Sequence, residues 1–136
     1  MESFALILMQ KNKETLEIEK EIGSYTISDN LDLIDGIYMT SEDEKNIVHL
    51  KLTTEKDVEN WEFSAILDYY DDEVLNQLVL SVKEIEDAYN PTWEVTFEFV
   101  DSQDGMQSKI EAILDKHKKE LDDVYAEIKD KEEEYK

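Results

Sequence analysis

The chain is 136 residues long and carries a formal net charge of −22, from 14 lysines, no arginine and 36 acids, with no cysteine. A single domain of this length buries about two thirds of the surface its unfolded form exposes, so its core needs neither disulfide nor metal. The absence of cysteine excludes thiol nucleophiles, disulfide frameworks, thiolate zinc sites and iron–sulfur clusters, and the charge disfavours nucleic acid and anionic membrane as direct partners while favouring a basic protein surface.

The apolar run over residues 4–9 follows Glu2 and is too short for a signal peptide. No stretch approaches the roughly twenty apolar residues of a membrane span, so a cytoplasmic protein is expected. Along the run Phe4, Leu6 and Leu8 alternate with Ala5, Ile7 and Met9, both sets apolar, as in a central strand over residues 3–9. After a polar turn at 10–14, Leu16 and Ile18 alternate with Glu17 and Glu19 in a second strand over 15–22. Gly23 and Ser24 then interrupt the alternation before Tyr25 and Ile27 resume it, which predicts a bulge or bend. Residues 28–35, ending at Gly36, read as a short helix.

Residues 37–40 form a third strand, and a charged loop over 41–46 leads to a fourth at 47–53, with Val48, Leu50 and Leu52 inward and His49, Lys51 and Thr53 outward. Thr54 followed by Asp57 resembles a capping box, predicting a helix over 55–70 with Val58, Trp61, Ala65 and Tyr69 on one side. Period-two alternation through Phe63, Ala65, Leu67 and Tyr69 gives a competing strand reading, which periodicity alone does not separate from the helix over 61–70. Leu78, Leu80 and Val82 alternate on one side of a loop holding the lone Pro91, and Trp93, Val95, Phe97 and Phe99 on the other, predicting a hairpin.

From Asp104 onward, Ile110, Leu114, His117, Leu121, Val124 and Ile128 recur at helical spacing, and Ile113 and Tyr125 widen the stripe beyond a coiled-coil seam. A long amphipathic helix docked on the sheet follows, with 129–136 as a frayed end. The expected architecture is one α+β domain over 1–136, an antiparallel sheet of about five to six strands packed by two main helices.

Catalytic motifs are sparse. Gly23, Gly36 and Gly105 stand far apart, so neither a P-loop nor a dinucleotide fingerprint exists. An EF-hand loop with Gly36 or Gly105 at its sixth place would put Leu31 or Val100 where the first carboxylate is needed. His49 reads as a solvated strand histidine and His117 as a packed one, and the two share no metal-ligand spacing. Asp68, Asp71, Asp72 and Glu73 could bind a divalent cation weakly, but such groups arise by chance at this acid content. No cofactor is expected.

Charge is the most informative feature. It sums to −6 over residues 1–53, −13 over 54–105 and −3 over 106–136, so the middle third is nearly uncompensated. Its acids Glu55, Asp57, Glu59, Glu62, Asp68, Asp71, Asp72, Glu73, Glu84, Glu86, Asp87, Glu94 and Glu98 are the candidate partner-binding residues. Carboxylates two apart on a strand project at about 6.6 Å spacing, and rows on neighbouring strands approach the charge density of nucleic acid. In composition alone the chain resembles DNA-mimic inhibitors of phages and mobile elements, of anti-CRISPR or anti-restriction type. That likeness implies a non-enzymatic acidic protein that binds the basic groove of a nucleic-acid enzyme, while the amphipathic C-terminal helix leaves a monomer or a homodimer through that helix as the expected state. The alternative is a small housekeeping α+β protein, acting as a subunit through that helix or through a weak metal site. Crowded carboxylates further predict that stability rises as salt is added or as pH falls from about 7 toward 5.

Overall fold

The computed structural model describes residues 4–27, 30–42 and 44–135. The start of the expected 28–35 helix, residue 43 of the expected hairpin loop and the last residue of the expected frayed end lie outside the described residues.

Strands β1 (Phe4–Lys11), β2 (Ile18–Ile27), β3 (Ile34–Glu42), β4 (Lys45–Leu52), β5 (Ser81–Glu84) and β6 (Trp93–Glu98) form one sheet in the order β2-β1-β3-β4-β6-β5. All neighbours are antiparallel except β1 and β3, which run parallel with Gln10 opposite Met39. The sheet is therefore mixed, where the sequence predicts a purely antiparallel one. The reason is topological: β3 runs opposite to β2 and could have joined the free edge of β2, but it joins the other side of β1, whose direction it shares. Alternation within a strand is identical for both placements.

The bulge expected near Gly23 is present, since Leu8 faces Gly23 and Met9 faces Glu21, leaving Ile22 without a partner. Among the described residues of the expected first helix, only Leu31–Leu33 is helical, as a single 3-10 turn, and β3 continues through Gly36 with a register shift between Ile34 and Gly36.

Residues 61–69 are helical, within α1 (Asn60–Tyr69), and Tyr70 is its extended C-cap. The helix starts five residues later than a Thr54 cap predicts, because the Thr54 hydroxyl donates to the Lys56 carbonyl at 2.6 Å. Glu62 Oε1 accepts the Glu59 N–H at 3.0 Å instead, satisfying a backbone donor at the helix start. The expected strand over 78–83 shrinks to β5. A 3-10 turn at Asp72–Leu75 and the Leu78 N–H bonded to the Leu75 carbonyl consume its first residues, and Leu80 stays 64% exposed.

Helix α2 (Gln103–Ile128) begins at Ser102, whose hydroxyl accepts the Gly105 N–H at 3.1 Å. The whole predicted stripe, with Ile113, is buried against the sheet and α1. Beyond it, Glu132–Tyr135 forms a 3-10 turn where fraying is expected. Tyr135 Oη donates to Asp68 Oδ2 at 2.8 Å and Lys131 Nζ stands 5.4 Å over the Tyr69 ring, tying the turn to α1.

Both helices cover the sheet face carrying Leu8, Ile27, Val48, Leu50, Leu52, Trp93, Val95 and Phe97, all buried. Trp93 stacks on Tyr70 at the end of α1 and meets His117 of α2 edge-on. Among the described residues no helix covers the opposite face, and Ile7 is half exposed although β1 is an interior strand.

Candidate functional site

The thirteen candidate acids fall into four places. Glu55, Asp57 and Glu59 lie in the loop before α1, with Glu62 in its first turn. Asp68, Asp71, Asp72 and Glu73 surround the end of α1. Glu84, Glu86 and Asp87 lead into the β5–β6 turn. Glu94 and Glu98 alternate with the buried Trp93, Val95 and Phe97, so they project from the open face, away from both helices. One continuous anionic face through all thirteen does not exist.

Several of these acids are engaged. Glu62 pairs with Lys56 at 3.6 Å, Glu98 with Lys45 at 3.6 Å, and Asp68 accepts the Tyr135 hydroxyl. That hydrogen bond, first among the causes, pushes the Tyr135 phenol up to about 12. Asp71 Oδ1 accepts the Glu73 N–H, and the Asp71 N–H donates to Glu120 Oε2 at 2.9 Å. Burial raises the Glu120 carboxyl, with Asp71 and Asp123 adding to the rise against that backbone bond. Glu55 Oε2 and the Tyr125 hydroxyl are both buried, and burial, followed by the charge of Glu55 and a hydrogen bond to it, pushes the phenol up.

Two of the four groups are brought together. Asn90, in the β5–β6 turn, donates from Nδ2 to Asp57 Oδ1 at 3.0 Å and accepts the Val58 N–H at 3.1 Å. Thr53 Oγ1 donates to the Pro91 carbonyl, and the single Thr92 hydroxyl proton is shared between the Asn90 carbonyl at 2.9 Å and Thr53 Oγ1 at 3.2 Å. These bonds lace the turn to the loop before α1 and fix both backbones. On the laced pair stand Asp57, Glu59, Glu84, Glu86 and Asp87, all exposed, with Tyr89 81% exposed at the tip. Asp87 has φ of 63°, a conformation that aspartate tolerates better than most residues. The sequence shows these acids as separate runs. Asn90 is the residue that joins them, and a lone asparagine beside a proline reads only as a turn.

A second polar cluster occupies the open face. His49, expected to be solvated, is half-buried: Nδ1 donates to Glu94 Oε2 at 3.3 Å, and Nε2 lies 2.9 Å from Thr40 Oγ1. The Tyr38 ring stacks on the imidazole at 4.5 Å and 4°, and its hydroxyl donates to Glu94 Oε1 at 3.5 Å. Hydroxyl, imidazole and carboxylate follow the order of a nucleophilic triad. Thr40 is buried, however, which keeps a substrate carbonyl from its oxygen, so the cluster reads as a polar staple across β3, β4 and β6. Cross-strand register, invisible in sequence, creates it.

His117 is fully buried, as its place on the stripe predicts. Its Nε2 donates to the Thr53 carbonyl at 2.8 Å, so Nδ1 accepts the Tyr70 hydroxyl at 2.7 Å. Burial lowers its pKa to about 4, and burial raises the Tyr70 phenol, with Glu120, Asp72 and Asp71 adding to it. Among the described residues no three His, Asp or Glu side chains converge to hold a metal ion, the Asp68 to Glu73 group included. Four surface grooves, one of about 430 Å³ lined by Lys45, Asn46, Glu98, Phe99 and Asp101, are lined by residues other than the two histidines.

No curated protein and no solved structure matches the chain. A family model does match, over residues 1–136: the chain belongs to the DUF6762 family, a family of unknown function.

Proposed function

We propose that this is a non-enzymatic acidic interaction protein that binds a basic surface of a nucleic-acid-binding partner in the cytoplasm, through the laced loops before α1 and between β5 and β6. The observation that carries the reading is Tyr89, exposed at the tip of a hydrogen-bonded turn and accompanied by Glu84, Glu86, Asp87, Asp57 and Glu59. An aromatic ring offers stacking area to a guanidinium, and the carboxylates beside it offer bidentate acceptors. Because the turn is already pinned, little ordering cost is added on binding. The net charge of −22 speeds encounter with a cationic partner and makes affinity fall steeply with salt. A row of carboxylates imitating a whole phosphate backbone draws less support, since Glu94 and Glu98 stand on the other face of the sheet.

Titrating an arginine-rich peptide into the protein, followed by amide shifts, tests the site. Shifts should concentrate in residues 55–59 and 84–90, and Tyr89→Ala and Asp87→Asn should each weaken binding several-fold. Equal shifts around the whole surface, or affinities unchanged in both variants, would overturn the reading.

A further inference from the structure

We propose that Gln103 and Gln107 are a guard on the free edge of β2, holding that edge closed to strand addition by a second copy of this chain. β2 is the long edge strand of the sheet, and an unprotected strand edge is a template for pairing with another chain. Ser24 and Thr26 lie opposite Ile7 and Ala5. One outward backbone group of each is taken by α2: Gln103 Nε2 donates to the Ser24 carbonyl at 3.1 Å, and Gln107 Oε1 accepts the Thr26 N–H at 2.9 Å. Four residues of helix advance about 6 Å and two residues of strand about 6.8 Å, so glutamines one turn apart meet the outward groups of alternate strand residues. The two side-chain amides thus supply one donor and one acceptor where a neighbouring strand would supply its own.

The location of the guard indicates what it keeps out. The first half of the edge carries Glu19, Lys20 and Glu21 and is broken by register shifts, both of which discourage strand addition. The second half, residues 22–27, reads Ile-Gly-Ser-Tyr-Thr-Ile, without a charge or a proline. A short uncharged segment of high strand propensity is the kind that pairs with copies of itself. Net repulsion between molecules is weakest as an edge-specific defence there, and that is where the glutamines stand.

The chemistry of each bond separates a guard from generic packing. In Gln107→Glu the carboxylate can still accept the Thr26 N–H. In Gln103→Glu it can only repel the Ser24 carbonyl. The double variant Gln103→Ala/Gln107→Ala should exchange its Thr26 amide at least tenfold faster than the parent. It should also self-associate in sedimentation velocity, and adding Thr26→Lys should restore the parent's behaviour. Gln107→Glu should match the parent and Gln103→Glu should not. A double variant sedimenting like the parent at every concentration, unchanged Thr26 exchange, or association that Thr26→Lys leaves intact would overturn the proposal. So would a parent that already associates through β2.

Discussion

His117 has both ring nitrogens committed, one donating to the Thr53 carbonyl and the other accepting from Tyr70. A proton added to Nδ1 would face the Tyr70 oxygen, which would have to turn its own hydrogen away inside a packed aromatic cluster. The folded pKa of about 4 lies below the ordinary 6.5, so between those values the unfolded chain binds more protons than the folded one. Stability is therefore complete above about pH 6.5, falls as pH drops, and levels off below about 4, a loss of roughly 3 kcal/mol in all. Glu120 acts in the opposite sense, since its raised carboxyl favours the folded state at low pH, but it is half solvated and its contribution is screened. The buried imidazole wins, which reverses the gain in stability on mild acidification that carboxylate crowding alone predicts. The urea midpoint should fall between pH 7 and pH 5. Imidazole carbon shifts should place the His117 transition well below 6, and one near 6.5 would refute the account. Tyr70→Phe, which leaves Nδ1 buried without a donor, should cost about 1–3 kcal/mol at pH 7.

At the level of elements, the first turn of α1 is held by side chains rather than propensity. Glu62 Oε1 takes the Glu59 N–H, and Trp61 Nε1 donates to Glu59 Oε2 at 2.9 Å, so the turn and its preceding residue fasten each other. Glu62→Ala should cost about 1 kcal/mol in chemical denaturation, while Glu62→Gln, which keeps an acceptor, should recover most of it. An equal loss in both variants would assign the effect to the Lys56 pair instead. The same region shows what is legible in the chain. The long stripe of α2 and the alternation of β4 and β6 follow from periodicity, because one buried face imposes it and nothing local competes. The start of α1 does not, since Thr54 spends its hydroxyl on a turn that only the surrounding loop explains. Nor does the parallel contact of β1 with β3, which depends on the side of β1 that the returning chain selects. The candidate acids are visible as residues, but their division between two sheet faces and the bond from Asn90 to Asp57 are consequences of register and loop docking. Burial of α2's apolar stripe also uses up the surface a coiled-coil partner would need, so any association through α2 would have to use its charged face.

For the molecule as a whole, the sign of the salt response depends on whether paired or unpaired charge dominates. The pairs Lys45 with Glu98 at 3.6 Å and Lys118 with Asp122 at 3.0 Å are exposed on both sides, and each is worth less than about 1 kcal/mol, weakening as salt rises. Against them stands an excess of 22 negative charges that no lysine can neutralise, and the folded state holds that excess in a smaller volume than the unfolded chain does. Screening therefore relieves more repulsion than it removes attraction. Raising sodium chloride from about 0.01 M to 1 M shortens the Debye length from about 30 Å to 3 Å, and the melting temperature should climb across that range. The rise should be smaller in a variant with Glu86, Asp87 and Asp57 made neutral, because those carboxylates share one laced surface. A melting temperature that stays flat or falls would mean that exposed pairs carry the stability, and it would also remove the electrostatic ground for a cationic partner.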